Sequence, residues 1–245
     1  MQETLVIIIP TYNEAANIET TIKKIREKTA SVKNCCIHIL VFDSASTDAT
    51  VLKVQQLMQG DALLHLVQEL KKSGLGSAYA QAMRHAIENM QADLIFEYDA
   101  DGSHDPEYIV PMLSRIEKSA DVVVGSRYVS GGGIPSNWGW HRKLLSGLGN
   151  HLARLFLFAK YHDYTSGFRV SRAKYLAPIY AQGFLTAGYA YKFQVFCLQH
   201  VLGARIEEHP IQFVDREKGV SKLPRNSILD SLRVLFLLRW NLIKH

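Results

Sequence analysis

Asp99 and Asp101 stand one residue apart in Asp99-Ala100-Asp101, directly after the apolar-rich run Asp93–Tyr98. Two carboxylates so spaced beyond a buried strand can both face one hard cation. Mg²⁺ and Mn²⁺ prefer carboxylate oxygens and complete their shell with phosphates and water. The chemistry this suits is displacement of a nucleotide diphosphate, whose charge a divalent cation and fixed dipoles absorb as the bond breaks. An isolated Asp-x-Asp is also compatible with a helix cap or an exposed turn; its position after a hydrophobic strand favours the metal reading.

Other residues extend the same site. Asp43 and Asp48 flank a turn leading into a helix. Asp48 reads equally as an ordinary helix N-cap, and Asp43, at a strand end, is the better candidate for contacting a base or ribose. Lys72-Ser73-Gly74-Leu75-Gly76-Ser77 opens a helix with glycines that tolerate close approach of a ligand. It lacks the Walker spacing, which excludes a P-loop, and no Gly-x-Gly-x-x-Gly comes after the first strand, which disfavours a dinucleotide enzyme. Arg127, Arg142, Arg169 and Arg216 fall in predicted loops, where a guanidinium can grip phosphate oxygens in a bidentate way. Each is equally readable as a surface arginine. His104, His141 and His209 show no metal-ligand spacing and read as structural or solvent-facing.

These residues need a scaffold, and the first half of the chain supplies an alternating one. Strands are expected at Leu5–Ile9, Ile37–Phe42, Leu63–Val67, Asp93–Tyr98 and Asp121–Gly125, with helices at Ala15–Lys28, Asp48–Met58, Ser77–Met90 and Pro106–Lys118. Such alternation predicts an α/β fold with a mostly parallel sheet, whose ligands bind beyond the carboxyl ends of the strands. Thr11–Glu14, Asp43–Asp48 and Asp99–Asp101 all fall at such ends. The second half is less regular. Ser130–Gly133 is a loop, Lys143–Ala159 a helix, Ala187–Leu202 a helical stretch and Arg205–Val214 strand-like, while Asp163–Val170 carries no assignment. No repeat or composition break divides the chain, so one domain over 1–245 is expected.

Hydrophobic residues make up 47% of the 245 residues and charged residues 21%, a globular balance that excludes a disordered tail protein. Cys35, Cys36 and Cys197 are an odd set with two adjacent members, which points to a reducing environment and not a disulfide framework. The chain starts almost directly on a strand-like run, which argues against a signal peptide. No run approaches the roughly 20 apolar residues needed to span a bilayer. Val234–Leu238 is bracketed by Arg233 and Arg239 and is too short to cross. From Arg216 onward seven Lys/Arg face two acids, an excess equal to the +5 of the whole chain. A basic, partly amphipathic terminus suits an anionic membrane surface or a phosphate, although a solvated basic tail is the competing reading.

Several segments then fall into one register. Ile9-Pro10-Thr11-Tyr12-Asn13-Glu14, Asp43…Asp48, Gly74–Ala78, Asp99-Ala100-Asp101 and Gly125-Ser126-Arg127-Tyr128 resemble family 2 glycosyltransferases in order and spacing. Arg142–Ser146, Asp163–Arg169 and Gly219-Val220-Ser221-Lys222 narrow the resemblance to the dolichol-phosphate mannose synthase branch, over roughly Val6 to Trp240. The resemblance implies a GT-A fold, a Mg²⁺ or Mn²⁺ cofactor and inverting transfer of a sugar, mannose from GDP-mannose, onto a polyprenyl phosphate. It implies that Pro10, Tyr12, Glu14, Asp43 and Gly76 hold the donor. Asp99 would sit near ribose or sugar, and Asp101, helped by Ser103, would bind the metal. Arg127, Arg142, Ser166, Arg169, Arg216 and Lys222 would serve the phosphates and acceptor. The implied halves are 1–125 for the nucleotide-sugar and 126–245 for the acceptor and a membrane-facing surface with C-terminal amphipathic helices. A peripheral position on the cytoplasmic face of a membrane is expected, with no nucleic-acid partner. Departures at Ser44, Thr47 and Ala82, where the family often has Asp, Pro and Gly, bear on base specificity more than on catalysis. Open alternatives are another donor sugar of the UDP-glucose type, a soluble glycan acceptor, or a catalytically idle nucleotide-sugar sensor.

Overall fold

The computed structural model describes residues 2–136, 138–215 and 227–244, without the side chains of 141–146, 243 and 244. Its elements are β1 (Glu3–Thr11), α1 (Ile18–Thr29), β2 (Cys35–Asp43), α2 (Thr50–Met58), β3 (Leu64–Gln68), α3 (Leu75–Glu88), β4 (Leu94–Glu97), α4 (Ile109–Lys118) and β5 (Val122–Ser126). Next come α5 (Trp140–Phe156), β6 (Arg169–Arg172), α6 (Ala177–Gln182), α7 (Tyr191–Val201), β7 (Ile206–Pro210) and α8 (Ser227–Lys244). All five expected strands are present, each end within two residues of its expected position.

The strands form one sheet in the order β3-β2-β1-β4-β6-β5-β7, with only β6 antiparallel to its neighbours. The chain winds outward from β1 through β2 to β3, then returns to place β4 on the other side of β1. This reversal opens a crevice between the carboxyl ends of β1 and β4, the place where open α/β sheets bind ligands. Leu5, Ile7 and Ile9 of β1 join Ile18, Ile22 and Ile25 of α1 and Ile109, Met112 and Leu113 of α4 in one core layer. Val6 and Ile8 face the other way, against Tyr79, Ala82, Met83 and Ala86 of α3. The helix spacing of α1 reflects this burial, since Ile18, Thr21, Ile22, Ile25 and Thr29 are its covered face.

Strand β6 has no apolar signature to reveal it, because Arg169-Val170-Ser171-Arg172 alternates with polar side chains that are themselves buried. Arg169 lies directly opposite Glu97 of β4, so both side chains leave the same face of the sheet. Arg169 is 1% exposed, and its Nε donates to Glu97 Oε2 at 2.5 Å. Tyr191 donates its hydroxyl to Glu97 Oε1 at 2.9 Å. Arg169 is therefore not the phosphate-binding loop arginine expected from the sequence: it is a strand residue committed to an internal carboxylate.

Helix α8 also departs from the expected amphipathic pattern. Val234, Leu235 and Leu238 are buried, while Leu229, Leu232, Phe236 and Trp240 are exposed beside exposed Arg233 and Arg239. The helix is apolar on two sides, one covering the core. Among the described residues, no helix is long and apolar enough to cross a membrane.

Breaking the buried pair from one side leaves a desolvated charge without its partner. Arg169→Met should cost about 3–5 kcal/mol in urea unfolding, and adding Glu97→Gln should recover much of that loss. A single Arg169→Met variant as stable as the parent would remove the pair from its central place.

Candidate active site

Beyond Glu97 the chain leaves the sheet as Tyr98-Asp99-Ala100-Asp101, and four hydrogen bonds fix this turn. Tyr98 donates its hydroxyl to the His104 carbonyl at 2.6 Å, and Thr21 of α1 donates to the Ala100 carbonyl at 3.1 Å. Val214 N donates to the Ser103 carbonyl at 3.1 Å, and Ser103 N donates to Asp101 Oδ1 at 3.1 Å. Gly102 takes φ +76°, a left-handed conformation that a side chain would strain. The two aspartates are thus held by a rigid turn on the crevice, and the Asp99 side chain is 28% exposed. Ser103 is 2% exposed, and its described contact with Asp101 runs through its backbone N–H. A cleft of about 450 Å³ opens between α1 and this turn, with Asp101 and Gly102 on its wall.

Among the described residues, no three His, Cys, Asp or Glu side chains converge as a closed metal shell. Two carboxylates on one turn instead suit a hard cation that shares its shell with phosphate oxygens and water. The donor set fits Mg²⁺ or Mn²⁺ and does not fit a structural zinc.

His104 has more to do with the site than its spacing suggests. It is buried, its ring stacks on Phe168 at 4.8 Å with Phe213 edge-on at 5.1 Å, and its Nε2 lies 3.6 Å from Asp99 Oδ2. That distance is too long for a hydrogen bond, so the imidazole acts as a wall behind the carboxylate. His209 is structural, as expected: its Nδ1 accepts from Arg115 Nε at 3.1 Å. Burial, then the Arg115 charge, hold its pKa below the usual histidine value.

Most of the residues expected to hold the donor meet at the ends of β1 and β2. Asn13, at φ +55°, donates its N–H to Ser46 Oγ at 2.8 Å and accepts from Thr47 N at 2.8 Å, which joins the two loops. Pro10 is half-buried between the buried Ile9 and Thr11 at the end of β1, and Lys72 Nζ sits 3.5 Å over the Tyr12 ring. Glu14 accepts from Asn17 Nδ2 at 3.1 Å, and its N–H donates to Thr50 Oγ1 at 2.9 Å. Asp43 is fully buried, accepting from Thr11 Oγ1 at 2.9 Å and from both N and Oγ of Ser46. Its visible work is to shape the turn. Asp48 accepts from Thr50 N at 2.9 Å and Ala15 N at 3.1 Å; it stands one residue before Ala49, the N-cap of α2, and so is not the cap itself.

The glycine loop has an internal reason for its composition. A Cβ at Gly76 would meet the carbonyl oxygens of Thr186 and Gly188 at 2.8 and 2.9 Å, and a Cβ at Gly74, where φ is +104°, would run into the Ala187 carbonyl. What approaches these glycines is the chain's own backbone at 186–188, where the sequence suggests a ligand.

On the far side of the crevice, Arg127 comes directly after β5. Its Nε and Nη2 donate to the two oxygens of Asp163, each at 2.7 Å, and its side chain is only 9% exposed. Burial alone would lower the guanidinium pKa and raise that of the carboxyl. The contact between them prevails at both, lifting Arg127 and lowering Asp163. The Asp99 charge adds to this field at Arg127. Ser166 is buried, and its Oγ accepts from Phe168 N at 3.3 Å. Arg142 lies on α5 and not in a loop; its side chain, with Arg216 and Lys222, lies outside the described residues. Asp163 and Lys192 are the site residues to which the sequence attaches no role. Asp163 stands within one of the segments that carry the family resemblance, whereas Lys192 lies near the start of α7 with no motif around it.

Known proteins point the same way as this geometry. The profile of Glycosyl transferase family 2 matches residues 6–179. A polyprenol monophosphomannose synthase from Mycolicibacterium smegmatis is 35% identical over 94% of this chain and 84% of its own length. An undecaprenyl-phosphate mannosyltransferase from Micrococcus luteus is 35% identical over 96% of this chain and 93% of its own. Among solved structures, a glucosyl-3-phosphoglycerate synthase from Mycobacterium tuberculosis with UDP superposes with a TM-score of 0.66 at 17% identity, covering 97% of this chain and 80% of that one. A mannosyltransferase from Pyrobaculum calidifontis with GDP-Man and Mn²⁺ gives 0.64 at 21% identity, covering 100% and 65%. The fold is that of these neighbours, and with the profile spanning most of its length, the chain belongs to glycosyl transferase family 2.

Proposed function

We propose that this enzyme transfers mannose from GDP-mannose onto the phosphate of a polyprenyl lipid, with inversion at the sugar. The observation that carries the reading is the pair Asp99–Asp101 on its pinned turn at the β1/β4 crevice, in a chain whose 35%-identical relatives are named as polyprenol- and undecaprenyl-phosphate mannosyltransferases along nearly its whole length. In this reading residues 1–125 carry the donor, and 126–245 carry the acceptor and the lipid-facing surface.

Asp101, with Asp99 beside it, would hold a Mg²⁺ or Mn²⁺ ion, consistent with the Mn²⁺ bound in the Pyrobaculum neighbour. When bound, the ion neutralises the diphosphate that leaves the sugar. Tyr12, Glu14 and the joined loops at Asn13 and Ser46 bound the nucleoside end, with Asp43 holding their shape from below. The acceptor phosphate is already an anion at neutral pH, so its attack needs no strong general base. It needs to be held in line with the anomeric carbon against a second anion. Ser166 and the Arg127–Asp163 pair form the wall on that side; Arg142, Arg216 and Lys222 remain candidates for the phosphates there.

A polyprenyl acceptor stays in its bilayer, so the protein must come to it. Leu229, Leu232, Phe236 and Trp240 form an exposed apolar stripe on α8, and Trp140, Leu148 and Leu155 are exposed on α5. Arg233 and Arg239 flank the α8 stripe. Such faces suit shallow insertion with arginines at the headgroups, a peripheral position on the cytoplasmic side.

Asp101→Ala should reduce transfer of labelled mannose into the lipid phase by roughly a hundredfold or more without loss of fold, with Asp99→Ala nearly as damaging. Full activity in EDTA would overturn the metal assignment. In vesicle flotation the protein should rise with anionic liposomes at low salt and be released as salt screens the surface. Retention in the soluble fraction, while a short-chain acceptor is still mannosylated, would sink the peripheral attachment.

A further inference from the structure

Two anions must meet in this crevice, yet the arginines described around it are already neutralised. Arg127 is held by Asp163, and Arg169 by Glu97. Lys192 is different. It lies in the first turn of α7 and is 7% exposed, and its ammonium makes no hydrogen bond or ion pair among the described residues. That ammonium is placed by Gly167: a Cβ there would run into Lys192 Nζ, and would touch Asp99 Oδ2 at 3.2 Å. The ammonium and the Asp99 carboxylate therefore both lie against Gly167, and the missing side chain there is what lets Nζ come so close. Ser166, expected from the sequence to serve the acceptor, is the neighbouring residue, and the Tyr189 ring closes the other side with its centroid 5.9 Å from Nζ.

A lysine with no carboxylate in ion-pair contact keeps its charge available to a ligand that brings the counter-charge. In the proposed reaction the donor diphosphate finds its counter-charge in the metal at Asp99–Asp101, whereas the attacking phosphate brings none of its own. We infer that Lys192 Nζ, brought to the Asp99 side of the crevice across Gly167, binds the phosphate of the lipid acceptor and holds it for attack. The α7 amino terminus adds its partial positive charge in the same place. This inference rests on the polyprenyl-phosphate reading for the identity of the acceptor, but its physical content, a phosphate monoester on Lys192, can be measured by itself.

The test uses the full-length protein with Mn²⁺ and GDP present, titrated with a short isoprenyl phosphate and, as control, the matching isoprenol, by calorimetry. Lys192→Met, which keeps the length and removes the charge, should weaken phosphate binding by roughly tenfold to a hundredfold, the worth of one charged hydrogen bond. Isoprenol binding and GDP–Mn²⁺ affinity should stay within about twofold of the parent, and Lys192→Arg should restore part of the loss. In steady-state transfer the same Met variant should raise the acceptor KM far more than the donor KM. Unchanged isoprenyl-phosphate affinity in a folded Lys192→Met protein would overturn the inference even if the parent transfers mannose normally. Loss of GDP–Mn²⁺ affinity instead would move Lys192 to the donor diphosphate and equally overturn it. A parent that binds isoprenyl phosphate through Lys192 yet transfers no mannose would leave this site standing and end the proposed function.

Discussion

A charge buried inside the sheet sets the terms for everything above it. Glu97 closes β4 two residues before Asp99, and it is neutralised by Arg169 directly across the strand pair, with Tyr191 on its second oxygen. This triple contact ties β4, β6 and α7 together at one point. The Asp99–Asp101 turn rises from β4, the Ser166–Gly167 loop precedes β6, and Lys192 is the residue after Tyr191 on α7. The relative placement of the two carboxylates, Gly167 and the lysine is thus fixed by one internal ion pair. Because low-dielectric charges tolerate little misplacement, the site inherits its rigidity from below.

The same logic explains why arginine count is a poor guide to phosphate sites. A guanidinium in a sequence advertises an affinity for anions without saying which anion it meets. Here two of the arginines meet protein carboxylates, and only burial and distance reveal it. Positive charge useful to a substrate is the charge left over after such pairing, and in the described part of this crevice Lys192 is where it is found.

Much of the fold is legible in the sequence. The five strands β1 to β5 announce themselves as short apolar runs, three of them ending in polar clusters, since period and burial act on the same residues there. The aspartates of the candidate site are legible for the same reason: they end such a run. Strand β6 is not, because its buried polar side chains are Arg169 and Ser171, whose burial is offset by partners far away in sequence. The loop reading of Arg169 fails on the same account. Lys192 and His104 carry no signal, being placed by Gly167 and Phe168, neighbours that only the folded chain provides. The glycines at 74 and 76 are conspicuous in the sequence as a place for a ligand to approach, whereas the backbone that approaches them is the chain's own.

That backbone has a further connection. Thr186 donates its hydroxyl to Asp230 of α8 at 2.5 Å and accepts from Gly188 N at 2.9 Å, while Gly76 N donates to the Ala187 carbonyl at 2.8 Å. A short strap at 186–188 is therefore clasped on one side by the helix with the exposed apolar stripe and on the other by the loop that opens α3. The glycine loop and α8 are not independently variable in this architecture. A bulkier residue in the glycine hollow would have to displace the strap, and the strap is bonded to α8, so the seat of that helix constrains the composition of a loop more than half the chain away.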